Sequence, residues 1–143
     1  MVLYNGTNTE ATIVELVVDA SAVMAVLLEE PERGALIAAT QGRELVAPPS
    51  LPWEIGNGLV AVVRRKRLSQ AEALSAWTAW GEVRLRLIEV DVSRALALAF
   101  EHDLYAYDAY LLALAEQRRI PLLTLDRTLQ RAARDAGVTL LEI

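Results

Sequence analysis

Thr12-Ile13-Val14-Glu15-Leu16-Val17-Val18-Asp19 is an apolar, largely β-branched run that ends on a carboxylate. Such a run predicts a buried strand. Ala20 to Leu28 follows with a helical pattern, and Pro31 with Glu32 opens a second helix towards Gln41, which Gly42 ends. This strand-then-helix unit repeats along the chain. Leu45 to Ala47 is a short strand closed by Pro48 and Pro49, and Ser50 is placed to N-cap a helix reaching about Lys66. Ser69 caps the next helix, with Glu72 at the capping-box position. Leu85 to Val90 reads as a strand, and Ser93 to His102 and Asp108 to Arg118 as helices. Leu122 to Leu125 is a strand, Thr128 to Ala136 a helix, and Val138 to Leu141 a last strand after Gly137. Five strands alternating with helices predict a parallel sheet covered on both faces. Ligands of such sheets sit beyond the carboxyl ends of the strands, where strand order reverses. Asp19 and Asp126 both end predicted strands, so they converge if those strands are neighbours there.

Composition narrows the chemistry. The 143 residues suit one domain, expected over residues 13–143 behind a flexible tail at residues 1–12. The chain is 54% hydrophobic, enough for a sizeable core. Its net charge of −5 disfavours nucleic-acid binding by overall charge, though not by a local basic patch. The absence of cysteine excludes disulfides, Cys-ligated zinc, iron–sulfur clusters and thiol nucleophiles. It agrees with a reducing compartment, and a cytoplasmic location is expected. A single histidine, His102, excludes a His-rich metal site and reads as an exposed helix end. The apolar stretch 16–28 carries Asp19 and is too short and charged to span a bilayer. The polar start lacks a signal-peptide pattern.

Four carboxylates stand out against apolar surroundings. Between Leu51 and Val63 only Glu54 and Asn57 are clearly polar, three residues apart on one helix face. A helix apolar nearly all round is normally buried, and a buried carboxylate is costly unless paired or metal-bound. Gly58 and Ala61 would let this helix approach a neighbour closely. Asp108 is the only charged residue from Leu104 to Ala115. Asp19 and Asp126 close the apolar runs Leu16–Val18 and Pro121–Leu125. Asp19, Asp108 and Asp126 each precede a helical stretch, so each is equally readable as an N-cap. Glu54 falls inside its helix and has no such alternative. Four clustered carboxylates repel one another and raise one another's pKa. Mg²⁺ or Mn²⁺, which take hard oxygen ligands, would relieve this and activate a water at a phosphodiester.

Four segments, in order, carry a resemblance: Val17-Val18-Asp19-Ala20-Ser21-Ala22, Pro49-Ser50-Leu51-Pro52-Trp53-Glu54-Ile55-Gly56-Asn57, Tyr107-Asp108-Ala109-Tyr110-Leu111-Leu112-Ala113-Leu114-Ala115 and Leu122-Leu123-Thr124-Leu125-Asp126. Together they cover the chain from about Ile13 onward. The chain resembles PIN-domain ribonucleases, and among them the VapC-type toxins of toxin–antitoxin pairs. The resemblance implies a three-layer α/β/α fold with strand order 3-2-1-4-5. It implies a Mg²⁺-dependent endoribonuclease, Mn²⁺ substituting, whose metal-binding and catalytic positions fall on Asp19, Glu54, Asp108 and Asp126. Supporting hydroxyl or amide groups fall on Ser21, Asn57 and Thr124. It further implies hydrolysis by a metal-activated water, a tRNA or rRNA substrate, a cognate antitoxin bound over the acidic cleft, and a homodimer.

Arg64, Arg65, Lys66 and Arg67 form the densest basic run, which either holds RNA phosphates or is a solvated helix end; Arg127 is a further phosphate candidate. Trp77 and Trp80 suit a partner groove or core packing, and Tyr105, Tyr107 and Tyr110 are expected to pack rather than stack on a base. Three rival classes are weaker. A Mg²⁺-dependent phosphatase needs an Asp where Ser21 stands, and a receiver domain needs a lysine that Lys66 is in the wrong place to supply. A non-catalytic RNA- or protein-binding module would not require the complete set of carboxylates.

Overall fold

The structure, a computed structural model, describes residues 13–143; the expected tail lies outside the described residues. The chain runs β1 (Val14–Val18), α1 (Ala20–Leu27), α2 (Arg33–Thr40), β2 (Arg43–Ala47), α3 (Leu51–Arg64), α4 (Gln70–Trp80), β3 (Leu85–Leu87), α5 (Val92–His102), α6 (Ala106–Arg118), β4 (Leu122–Leu123) and α7 (Arg127–Asp135).

The strands are parallel in the order β3-β2-β1-β4. The alternation of side chains along each strand divides the core in two. Val17, Val46 and Leu122 pack under α5, α6 and α7, with Leu98, Leu112 and Leu129. Leu16, Val18, Ala47 and Leu123 pack on the other face under α1, α2 and α3, with Leu36, Leu51 and Ile55. Helices therefore cover both faces, and the three-layer α/β/α expectation holds.

The expected fifth strand is not formed. Residues 138–141 run beside β4, where a fifth strand belongs, but give only the parallel bridge Leu122–Leu140. The Val138 N–H closes the end of α7 by donating to the Ala133 carbonyl, and Gly137 turns the chain at φ 77°. Two sheet-type hydrogen bonds remain, Leu122 N–H to Thr139 and Leu141 N–H to Leu122. The sheet thus has four strands in the order 3-2-1-4, consistent with the expected order except at its last position.

This topology puts the switch point between β1 and β4. Their register pairs Val17 with Leu122 and Val18 with Leu123, so Asp19 and Thr124 follow side by side at the carboxyl edge. At the opposite edge Arg118, the last residue of α6, grips Glu15 of β1 with contacts of 2.8 Å to both carboxylate oxygens. Arg86 adds a further contact at 2.7 Å. That anchor holds α6 along β1, with Asp108 in its first turn at the other end.

Candidate metal centre at the switch point

Asp19 is the hub. Its φ and ψ are extended, so the strand ends there, and its Oδ1 accepts the Ala22 N–H at 3.0 Å to cap α1. The N-cap reading of Asp19 therefore holds, and the same carboxylate also gathers side-chain hydroxyls. The Ser21 hydroxyl lies 2.7 Å from Oδ1 and 2.9 Å from Oδ2 and donates to the carboxylate. The Thr124 hydroxyl donates to Oδ2. Each hydroxyl in turn accepts a backbone N–H from the link between β4 and α7. Leu125 N–H donates to Ser21 Oγ and Asp126 N–H to Thr124 Oγ1, both at 3.0 Å. The Gln130 side chain holds the Thr124 carbonyl at 2.8 Å. Two hydroxyls thus tie the ends of β1 and β4 together and fix the Asp19 carboxylate between them.

Glu54 reaches the same region from α3. It is the fourth residue of the helix, and the Ser50 hydroxyl donates to its Oε2 at 2.9 Å. Ser50 was expected to cap α3, but it lies in the helical region of backbone space and its hydroxyl makes no capping bond. The carboxylate one turn on is the nearer acceptor. Asp19, Ser50 and Thr124 are the buried polar side chains among the described residues, and all three serve this site.

Asp108 and Asp126 complete the group. Asp108 is not an N-cap: Tyr105 occupies that position, and Asp108 lies in the first turn of α6 with its carboxylate half-buried. Asp126 does cap α7, accepting the Leu129 N–H at 3.0 Å, and remains exposed.

The carboxylates feel one another's charge. Burial raises the Asp19 pKa; hydrogen bonds from Thr124, Ser21 and Ala22 oppose this, and the Asp126 charge adds to it. Burial also raises Glu54, against the Ser50 hydrogen bond and with the charges of Asp19 and Asp108. Asp108 is pushed up to about 6 by burial, then by Asp126 and Asp19. No cationic side chain contributes to any of the three shifts. Among the described residues no three acidic side chains are gathered closely enough to complete a metal-ligand set. The donor chemistry nevertheless fits a hard divalent cation. The oxygens come from four separate elements, and a divalent ion would relieve their mutual repulsion.

Residues 16–135 match the PIN domain family. This chain belongs to the PIN domain family. Its relatives include Ribonuclease VapC3 of Pyrobaculum aerophilum, 36% identical over 120 residues that cover 80% of this chain and 92% of the relative. Ribonuclease VapC9 of Mycobacterium tuberculosis is 34% identical over 111 residues, covering 78% of this chain and 85% of that relative. The crystal structure of PAE2754 from Pyrobaculum aerophilum superposes with a TM-score of 0.67 at 26% identity, covering 87% of this chain and 83% of that one. The VapC-type resemblance read from the four motif segments is thereby upheld.

Within this PIN domain the other expected positions divide. Ser21 and Thr124 both hydrogen-bond to Asp19. Asn57 is exposed on α3 and makes no hydrogen bond to a carboxylate among the described residues. Nor is α3 buried all round. It buries only the stripe Leu51, Ile55 and Leu59, and leaves Trp53 and Val60 exposed. Gly58 does permit close approach, since a Cβ there would stand 3.1 Å from the Met24 Cε of α1. Arg64 and Arg65 are exposed at the far end of α3, about 15 Å from Glu54 at 1.5 Å per residue. Arg67 pairs with Glu30 at 3.1 Å. Arg127 is exposed and follows Asp126 at the start of α7. The His102 side chain is only 12% exposed, contrary to the expected exposed end. Trp80 packs on the core while Trp77 is largely exposed. Tyr110 packs as expected, but Tyr105 and Tyr107 do not.

Sequence reasoning missed two features. Ser50 was visible as a hydroxyl four residues before Glu54, a spacing that brings the two together on a helix. Trp53 is 73% exposed immediately before Glu54, and no sequence signal distinguished it from a core tryptophan.

Proposed function

We propose that this PIN domain is a divalent-metal-dependent endoribonuclease, the toxin of a toxin–antitoxin pair. The observation that carries the proposal is the group of four carboxylates from four elements, coupled through their charges, with no cationic side chain among the causes of their pKa shifts within the described residues. Asp19, Glu54 and Asp108 would hold the principal ion, Mg²⁺ or Mn²⁺. A bound ion supplies a water of lowered pKa and neutralises charge on the phosphodiester. The chain's own groups do the positioning. Ser21 and Thr124 hold the Asp19 carboxylate in one orientation, and Ser50 does the same for Glu54. Asp126, exposed at the start of α7, would ligate directly or through water, or orient the attacking water. Arg127, exposed beside it, would meet a substrate phosphate.

The names of the VapC relatives support RNA as substrate. A tRNA or rRNA loop is the target expected from the VapC-type resemblance. An antitoxin would inhibit by setting a basic side chain among the carboxylates, where it would supply the missing positive charge. The stripe Val92, Leu96 and Phe100, exposed along one face of α5, supports a homodimer. Among the described residues no helix is long and apolar enough to cross a membrane. The test is cleavage of total cellular RNA by purified, antitoxin-free protein with Mg²⁺, with Mn²⁺ and with EDTA. Discrete fragments bearing 5′-phosphates and requiring metal are expected. Intact RNA in every condition would refute the nuclease assignment.

A further inference from the structure

The solvent face of α7 is a row of arginines that begins beside Asp126. Arg127, Arg131 and Arg134 are all exposed, and their spacing of four and then three residues puts them on one face of the helix. Leu129, Ala132 and Ala133 carry the opposite face into the core. The row therefore points away from the domain, and at 1.5 Å per residue it is about 10 Å long. Contacts fix where it starts. Asp126 is the N-cap of α7, its N–H donates to Thr124 Oγ1 at 3.0 Å, and the Leu125 N–H donates to Ser21 Oγ at 3.0 Å. Ser21 and Thr124 are the hydroxyls that hold Asp19. The first turn of α7 thus abuts the switch point, and the helix carries Arg131 and Arg134 progressively farther from it. Among the described residues no ion pair engages Arg127 or Arg131, although Asp135 stands one turn beyond Arg131. Arg134 meets Glu142 only at 3.5 Å, with both side chains more than half exposed. The other dense basic run lies at the far end of α3, and there Arg67 is tied to Glu30.

We propose that Arg131 and Arg134 continue from Arg127 as a phosphate track, which holds the RNA backbone on one side of the scissile bond only. This deepens the ribonuclease reading above and rests on it. The chain carries −5 overall and the candidate centre is itself acidic, so an approaching phosphodiester is repelled unless positive charge lies nearby. The α7 row supplies that charge from outside the centre and leaves the carboxylates free. Its length corresponds to roughly three nucleotides at about 3.4 Å of rise each. Because the helix starts at the switch point and leads away from it, one flank of the substrate meets the row and the other does not. Arginine suits the task, since its planar fork can grip two phosphate oxygens. Phosphate contacts fix register without reading bases, so the row positions the strand and leaves sequence choice to other groups. Arg131 and Arg134 are in this sense positioning residues.

The test compares wild type with Arg131→Ala, Arg134→Ala, the double variant and the matching lysine variants. Arg84→Ala controls for lost charge, being exposed just before β3 at the amino edge of the sheet, away from the switch point. Circular dichroism checks folding. Anisotropy of a labelled, mixed-sequence dodecaribonucleotide is followed through a salt titration, with Ca²⁺ replacing Mg²⁺ so that binding is read without cleavage. Each alanine variant should bind roughly twofold to fivefold more weakly at low salt, and the double variant about tenfold. The slope of log affinity against log salt should shrink by about 0.7 for each arginine removed. The lysine variants should keep the wild-type slope, and Arg84→Ala should match wild type. In Mg²⁺ the double variant should show a raised KM with little change in kcat. The one-sided geometry is read with substrates centred on the cleavage position and shortened by about three nucleotides on either flank. Shortening one flank should weaken wild type but not the double variant, and shortening the other should weaken both alike. Wild-type affinity and salt slope in the double variant would overturn the inference, as would an equal loss in Arg84→Ala or the same response to both flanks. So would variants that bind RNA normally but lose poly-L-glutamate, which would assign the row to an acidic protein segment. If wild type and variants show the predicted slopes in Ca²⁺ yet wild type leaves every RNA intact in Mg²⁺, the phosphate track stands and the nuclease reading falls.

Discussion

Removing the Asp108 charge should make the metal-free protein more stable while abolishing its activity. The folded-state pKa of Asp108 is about 6 against an ordinary 3.8, with burial the largest cause and the charges of Asp126 and Asp19 behind it. A raised carboxylate pKa means that the folded protein holds this proton more tightly than the unfolded chain does. The Asp108 contribution to stability is therefore greatest below about pH 4, is lost as the pH rises through about 6, and stays absent above it. The shift of roughly two pH units corresponds to ~3 kcal/mol at ~1.4 kcal/mol per unit. Asp108 is only half-buried, and solvent screening reduces the figure to about 1–2 kcal/mol. Asp108→Asn should accordingly raise the midpoint of thermal unfolding by about 3–7 °C at pH 8 in EDTA. At pH 4 the two proteins should unfold together. The variant should retain a shallower pH dependence, because Asp19 and Glu54 are raised as well. Mg²⁺ should stabilise wild type, as any ligand of the folded state does, and the variant less. Thermal melts of both proteins from pH 4 to 8, with EDTA and with Mg²⁺, make the comparison. An Asp108→Asn protein less stable than wild type at pH 8 in EDTA would refute the reasoning, because the carboxylate would then be a net stabilising group.

Three further substitutions probe the supporting groups and the packing. Thr124→Val removes the hydroxyl that joins Asp19 to the Asp126 N–H, and should cost about 1–3 kcal/mol in urea unfolding. It should also lower metal affinity by about 10- to 100-fold, with Thr124→Ser restoring both. Ser50→Ala removes the hydrogen bond that opposes the rise in the Glu54 pKa, so the acid limb of the pH–activity profile should move to higher pH; an unmoved limb would dissociate Glu54 from the chemistry. Gly58→Ala places a Cβ 3.1 Å from the end of the flexible Met24 side chain, and the gain in helix propensity, ~1 kcal/mol, should offset the contact to within about 0.5 kcal/mol in urea unfolding.

Much of the site was legible because it lies on elements with strong local signals. The β-branched run into Asp19 reads as a buried strand, and β1 is the central strand beside β4 at the switch point. Glu54 was picked out as a lone carboxylate in an apolar helix, although the inference that α3 is wholly buried failed. Trp53 and Val60 face solvent there, and composition alone does not reveal which apolar residues a helix leaves uncovered. Tyr105 and Tyr107 were misjudged for the same reason, since their exposure depends on how α6 sits on the sheet. Ser50 was read as a cap because serine before a helix usually is one; its αR backbone and the nearby Glu54 carboxylate decide otherwise. The fifth strand was overestimated because β-propensity in residues 138–141 is real, but Val138 is engaged in ending α7.

The central claim is that the four carboxylates act together by holding a divalent ion that supports RNA cleavage. It is tested most directly by measuring Mn²⁺ binding and RNA cleavage on the same samples of wild type, Asp19→Asn, Glu54→Gln, Asp108→Asn and Asp126→Asn. The account predicts that wild type binds Mn²⁺ and cleaves, and that both properties fall together in each variant, most severely for Asp19→Asn at the hub. RNA cleavage that persists undiminished in Asp19→Asn, or in wild type stripped of metal with EDTA, would contradict it.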